Sequence, residues 1–394
     1  MKKVHRQSGF SLMELMVAMV ILLVILGAVF ALMRGSISAA NTNYEMTTAQ
    51  QELRNSQERI SRDVLLVGDG LFGLTNIWLP TQFVTDYLTV RTAAVVDPSN
   101  RGYVSIGSVL SDFDVPAGTA VPGSSPATTV RPNSDRMTTL AQDHSFSPIS
   151  VTDVEVSYSS GYIRVPAARI ADFQVGEVYF LANSVAGVFG TVTSVDAGSR
   201  RVYMQNGDSL GLNRTGITGN LASVERALLP MNLIRVQIVQ FYVDANDRLI
   251  RRVIGIKGGS MIDSVVAEHL INLKFEYTLR PSSPTTILDQ PVTQVDLADS
   301  TRIRMIETAL SVETAYALQD GVKRQVDGMT RLGVRNVQFL EAPVPRDSEG
   351  NTVLPNPGPT PNVTPTPTPT PPPTPTPIPT PTPTPTPTPS PTPT

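Results

Sequence analysis

The chain has 394 residues, with 31 lysines and arginines against 34 aspartates and glutamates, a formal net charge of −3 and a pI near 5.7. No strongly basic face therefore advertises nucleic acid as a partner. Cysteine is absent, which excludes thiol chemistry and disulfides and leaves the fold to its apolar core, something a chain of this length can supply.

The first predicted element crosses a membrane. Lys2, Lys3, His5 and Arg6 form a compact positive leader that would stay on the cytoplasmic side. Gly9-Phe10-Ser11-Leu12-Met13-Glu14 follows, and residues 15–33 then run for 19 positions without a charge until Arg34. At ~1.5 Å per residue such a helix spans most of a ~30 Å hydrocarbon core. Glu14 is the anomaly. An intramembrane carboxylate costs about 3 kcal/mol on insertion scales and requires a partner, so it reads as functional.

A secretory signal peptide places its small residues after the apolar core, whereas here Gly9 precedes it. That order resembles the type III signal of type IV prepilins, Gly-Phe-(Ser/Thr)-x-x-Glu. The resemblance implies that a membrane aspartyl prepilin peptidase cuts after Gly9 and methylates the new amino terminus on Phe10. It also makes Glu14 the assembly carboxylate. The physics agrees: an α-ammonium on Phe10 of one subunit can neutralise Glu14 of its neighbour, the partner that a buried charge needs. The alternative is a bitopic anchor whose Glu14 lies in the headgroup layer. Major pilins usually carry a helix-breaking proline in the apolar helix and a C-terminal disulfide. This chain has neither, only Gly27 in the run, and so leans towards a minor pilin.

The helix is expected to continue past Arg34, because residues 36–67 contain no Gly or Pro and many Gln, Glu, Arg and Ala. Ile37, Tyr44, Leu53, Ile60 and Val64 recur at roughly helical spacing and predict one buried stripe. Gly68 and Gly70 punctuate the stop. Short runs rich in Val, Tyr, Thr and Phe then predict strands over 87–96, 151–158, 162–165, 177–182, 190–195 and 201–205. Residues 112–135, with Pro116, Gly118, Pro122, Gly123, Pro126 and Pro132, read as a mobile loop. Residues 232–243 and 249–256, joined by Asp244-Ala245-Asn246-Asp247, read as a hairpin, and 270–279 and 303–312 as further strands.

Several of these stretches resemble PilW-type minor pilins and the related J-class pseudopilins of type II secretion. They are Arg54, Arg59, Ser61-Arg62-Asp63 and Gly68 at the helix end, and residues 236–244 followed by Leu249-Ile250-Arg251-Arg252. Residues 265–277 resemble a helix-or-turn-to-strand element, while 302–311 and Leu332-Gly333-Val334-Arg335-Asn336-Val337 resemble the last two elements. The likeness covers most of 1–340, with 100–150 unmatched. It implies an α+β fold in which a long N-terminal pilin-type helix packs on a β-rich head. The expected organisation is a leader at 1–9, a transmembrane and assembly helix at 10–33 and an amphipathic half-helix at 34–67. A head at 68–342 and a disordered Pro/Thr tail at 343–394 complete it.

In the tail, 20 of the 40 residues from 355 to 394 are proline and most others threonine. Alternating Thr-Pro removes half the backbone donors and favours polyproline II, at ~3.1 Å per residue. A spacer, a glycosylated or wall-threading stalk, and a docking ligand for a proline-binding partner all remain open. A segment that buries nothing adds nothing to stability. Chains of residues 34–342 and 34–394 should therefore melt at the same temperature in calorimetry. A drop of several degrees on truncation would mean that the tail packs on the head.

Catalytic constellations are poor. His5 is in the leader, and His144 and His269 stand alone without metal-ligand spacing. No phosphate-cradling loop or GxSxG elbow is present. Asp244, Asn246 and Asp247 could ligate calcium, but a polar hairpin turn is the simpler reading. The expectation is a non-enzymatic subunit with no cofactor, no metal, no nucleic acid and no small-molecule substrate. Its partners would be prepilin peptidase, the inner membrane before assembly, and other minor and major pilins, with the head periplasmic and then on the cell surface. The alternatives are a J-class pseudopilin and a surface adhesin head on a pilin stalk.

Overall fold

The computed structural model describes residues 11–71, 77–89, 103–123, 128–156, 161–182, 187–213, 230–256, 259–280, 290–296, 299, 302–318 and 320–334. The chain divides into two units, Met1–Glu341 and Ala342–Thr394, and every described residue belongs to the first. One helix, α1 (Leu12–Leu65), runs for 54 residues, about 80 Å at the helical rise. It ends where Gly68 and Gly70 take φ of 74° and 72°. The Gly68 N–H donates to the Leu140 carbonyl at 2.8 Å, which ties the helix end to the head.

Strands follow in chain order as β1 (Ile77–Pro80), β2 (Tyr103–Ile106), β3 (Val109–Asp112), β4 (Arg136–Gln142), β5 (Ile149–Val151) and β6 (Val154–Val156). Next come β7 (Gly161–Arg164), β8 (Val178–Ala182), β9 (Gly187–Thr191), β10 (Ser194–Asp196), β11 (Arg201–Tyr203) and β12 (Met231–Val243). The last are β13 (Leu249–Ile256), β14 (Gly259–Ala267), β15 (Leu270–Leu279), β16 (Gln290–Val292), β17 (Ile303–Glu313) and β18 (Gln325–Gly333). Every pairing is antiparallel. The largest sheet follows the order β14-β13-β12-β4-β3, and the first residues of the long β12 pair instead with β5 and β8. A second sheet is ordered β16-β15-β17-β18 and a third β10-β11-β7-β6, while β1 and β2 pair alone. The fold is the expected long apolar helix followed by a β-rich head.

The lower half of α1 packs where the two larger sheets meet. Leu53, Ile60, Val64 and Val67 share one core with Phe241 and Val253 of the first sheet and Leu273, Ile306 and Leu310 of the second. Full burial of such side chains stabilises by about 1.5–3 kcal/mol each. The buried helix positions are Ala49, Leu53, Ser56, Ile60, Asp63 and Val64, a 3–4 spacing that presents one face. The predicted stripe is corrected at its upper end. Ile37 and Tyr44 are 51% and 70% exposed, because the core shared with the sheets takes in no helix residue before Ala49.

Other expectations are narrowed or changed: the strands expected at 151–158 and 190–195 are interrupted, at 152–153 and 192–193. Tyr87 and Leu88 belong to a turn of helix over residues 81–88 that ends as a π-helix (Val84–Leu88), where a strand was expected. There Thr85 Oγ1 donates to the Thr81 and Gln82 carbonyls, and Phe83, Val84 and Leu88 bury together. The rest of 87–96 beyond Thr89 lies outside the described residues. Of the helix-or-turn-to-strand alternatives for 265–277 the structure has the turn, set between two strands, with His269 at φ 57° supplying it. The described part of 112–135 is packed rather than loose. Val115, Val121 and Val130 form a core with Tyr242 and Ile250, and the Arg131 N–H donates to the Val243 carbonyl at 2.8 Å. The buried Arg252 guanidinium also donates to the Pro122 carbonyl.

The predicted hairpin at 232–256 forms as β12 and β13, paired from Ile238–Ile254 to Val243–Leu249. Within β13, Gly255 takes φ 82°, and a Cβ there would stand 2.6 Å from Val178 Cβ and Cγ2. Gly255→Ala should cost about 3 kcal/mol, from left-handed strain of ~1–2 kcal/mol plus overpacking of ~1–3 kcal/mol. Denaturant unfolding measures it, and a loss below about 1 kcal/mol would show that β13 shifts away from β8 without penalty.

Candidate membrane and assembly segment

The amino-terminal third of α1 carries the candidate site. Ser11 caps the helix, its Oγ accepting from the Met13 N–H at 3.3 Å, while Glu14 Oε2 accepts from the Ser11 N–H at 3.1 Å. This reciprocal box satisfies two helix-end donors, and Glu14 sits at the positive end of the helix dipole. Glu14 therefore has a partner within its own chain. Gly9 and Phe10 lie outside the described residues.

From Leu12 to Met33 the large apolar side chains are all exposed, between 42% and 80%. An aliphatic surface displayed on every side of a helix belongs in hydrocarbon or against other apolar helices. The stretch has the length and hydropathy of a membrane span, and none of that window is buried in the protein. Arg34 closes it.

Below this segment one pair fixes how the helix meets the head. Arg251 Nε donates to Asp63 Oδ2 at 2.5 Å and Nη2 to Oδ1 at 3.1 Å, with both side chains only 9% exposed. Arg59 lies close by. Burial lowers its pKa most, the Arg251 charge lowers it further, and Asp63 opposes both. Ser61-Arg62-Asp63 and Leu249-Ile250-Arg251 are separate signals along the chain, and the fold brings them together. By contrast Arg62 stays at the surface, paired with Glu58 at 3.1 Å.

A second ionic cluster had no signal in the sequence. Arg235 donates to Asp143 Oδ2 at 2.7 Å, to Glu177 Oε1 at 2.9 Å and to Ser145 Oγ at 2.5 Å. Glu177 is fully buried and also accepts from the Tyr179 hydroxyl at 2.7 Å. Desolvation works to raise the Asp143 pKa, but hydrogen bonds from Ser145 and the Arg235 charge outweigh it and hold the carboxyl below its usual range. Burial first, and then the bond to Glu177, raises the Tyr179 phenol. One guanidinium thus serves two carboxylates, each with a further hydrogen-bond donor, and the cluster joins β12 to the start of β8.

The remaining candidates resolve as structure. Asp244 accepts from the Asn246 and Arg248 N–H groups at 2.9 Å each and from the Arg248 guanidinium at 2.6 Å, while Asp247 pairs with Arg131. These oxygens already serve the β12–β13 turn. Among the described residues no cluster of three or more His, Cys, Asp or Glu is placed to hold a metal. His144, expected to stand alone, has its Nε2 2.6 Å from Asp69 Oδ2.

Residues 4–30 match the family model described as the prokaryotic N-terminal methylation motif. No curated protein and no solved structure matches the chain. The motif supports a prepilin-like protein that is processed by a prepilin peptidase and assembles with other pilins. The exposed apolar helix that the motif includes is consistent with a single-pass membrane anchor.

Proposed function

We propose that this protein is a non-catalytic minor pilin of the PilW type, built into or priming a type IV pilus-like filament. It is inserted with the leader inside and the head outside. It is then cut after Gly9, methylated on Phe10 and packed helix to helix, with Glu14 setting the register. The observation that carries the reading is the methylation motif running directly into a helix whose apolar surface is exposed on all sides. The bidentate Asp63–Arg251 pair supports the PilW-type assignment, because it joins two stretches that resemble that family at unrelated points of the chain.

Mass spectrometry of the mature amino terminus tests the processing. The chain should begin at methylated Phe10, and Gly9→Val should block cleavage by crowding the peptidase site. A mature chain that begins at Met1, or one cut beyond residue 30, would remove the basis of the proposal. Identification of the subunits in sheared filaments tests the rest.

A further inference from the structure

The described residues of the loop between β17 and β18, 314–318 and 320–324, lie beside the helix below the membrane-spanning stretch. It is a built turn: the Leu318 N–H donates to the Val322 carbonyl at 3.0 Å, Gly321 to Leu318 at 2.9 Å, and Asp320 Oδ1 accepts from the Val322 N–H at 3.1 Å. The Tyr316 N–H reaches Glu45 Oε2 on α1 at 3.4 Å. A groove of about 590 Å³ runs between helix and loop, from Arg34 and Ile37 along Tyr44 and Glu45 to Tyr316. A second, of about 560 Å³, shares Ser38, Thr42 and Leu318 with it and has Met46, Asp320 and Arg324 among its walls.

Three observations bear on what covers this surface. Its apolar side chains are exposed, Tyr44 by 70%, Tyr316 by 73% and Val322 by 52%. The charges lining the grooves cancel, Arg34 and Arg324 against Glu45 and Asp320, and Lys323 of the loop is offset by Glu313 at 3.6 Å. The surface is also continuous with the apolar helix. Arg34 ends the charge-free run and begins the groove wall, so with residues 15–33 in hydrocarbon the groove opens at the headgroup layer. Tyrosines with one apolar and one polar end suit that layer.

We infer that the 314–324 loop is a second membrane contact, docking on the phospholipid headgroup layer through Tyr316, Val322 and Tyr44 before assembly. This rests on the membrane-anchor reading of residues 15–33. Because the local charges cancel, the contact is carried by the tyrosine and aliphatic side chains and does not depend on lipid charge.

The absence of cysteine permits single-site labelling of the full-length chain. Leu23→Cys, Val322→Cys and Val175→Cys would carry a nitroxide in the otherwise intact protein, at low protein density in vesicles. Phosphatidylcholine vesicles would be compared with vesicles of phosphatidylethanolamine and phosphatidylglycerol. Collisions with oxygen and with a water-soluble nickel chelate report depth. Val175, 60% exposed in the part of the head that shares no core with α1, is the aqueous reference. The Leu23 label should lie in hydrocarbon. The Val322 label should be several-fold less accessible to nickel than Val175, equally in both lipids, and Tyr316→Ser should abolish that protection.

Nickel access at Val322 equal to that at Val175, with Leu23 buried, would overturn the loop contact while leaving the anchor intact. Nickel access at Leu23 would overturn the anchor and the contact with it. Protection seen only with the anionic lipid would overturn the charge-independent contact. Spin–spin broadening at Val322 that grows with protein density would assign the grooves to a second copy instead.

Discussion

Replacing Asp63 by alanine should cost about 4 kcal/mol and lower the melting temperature of the detergent-solubilised chain by on the order of 10 °C. The substitution leaves the Arg251 guanidinium buried at 9% exposure with its carboxylate gone, and Arg59 still adds its own charge beside it. Arg251→Ala should cost less. It leaves Asp63 with Arg59 close enough to share its charge, and the shorter side chain opens space that water can enter. Asp63→Ala combined with Arg251→Ala should therefore be more stable than Asp63→Ala alone, since it removes the stranded cation. Denaturant titrations of the three variants supply the cycle. If Asp63→Ala lost under 1 kcal/mol, or if the double variant were the least stable, the pair would not be what seats the helix on the head. The apolar core around Leu53, Ile60 and Val64 would then carry the docking alone.

Glu14→Val should reduce incorporation into sheared filaments at least tenfold while leaving the membrane fraction unchanged or higher. Removing the carboxylate lifts an insertion cost of about 3 kcal/mol, which favours the membrane state. It also deletes the counter-charge that Phe10 of a neighbouring subunit would need. Because Glu14 closes a capping box with Ser11, the valine variant further loosens the first turn by about 1 kcal/mol. Glu14→Gln separates the two effects. An amide oxygen can still accept from the Ser11 N–H but carries no charge, so the glutamine variant should keep the helix start and still fail to assemble. Quantitative immunoblots of filament and membrane fractions decide between them. Wild-type incorporation of Glu14→Gln would show that capping, not charge, is what assembly uses.

Where the expectations from sequence failed, tertiary contacts outweighed local composition. Proline and glycine over 112–135 signal a loop, and it is one. Nothing in that composition tells that Val115, Val121 and Val130 find Tyr242 and Ile250 more than a hundred residues later in the chain. Tyr87 and Leu88 have strand-type neighbours in sequence, but the bonds of the Thr85 hydroxyl to the Thr81 and Gln82 carbonyls and the burial of Phe83 and Val84 settle a helical turn. Ile37 and Tyr44 fit a helical period as well as Leu53 and Ile60 do. Period alone cannot say how far the head extends along the helix.

What the sequence determined by itself is everything written in consecutive residues. The basic leader, the Gly9–Glu14 motif, the charge-free run to Arg34 and the β12–β13 hairpin each depend on local composition, spacing or turn chemistry, and local rules read them. The partners come from packing alone. Asp63 meets Arg251 across 188 positions, and Arg235 meets Glu177 and Asp143 across 58 and 92. A charged residue in sequence looks the same whether it is solvated or buried. Only the packing of α1 over two sheets, and of β8 against β12, removes the water that would otherwise make those charges ordinary surface groups.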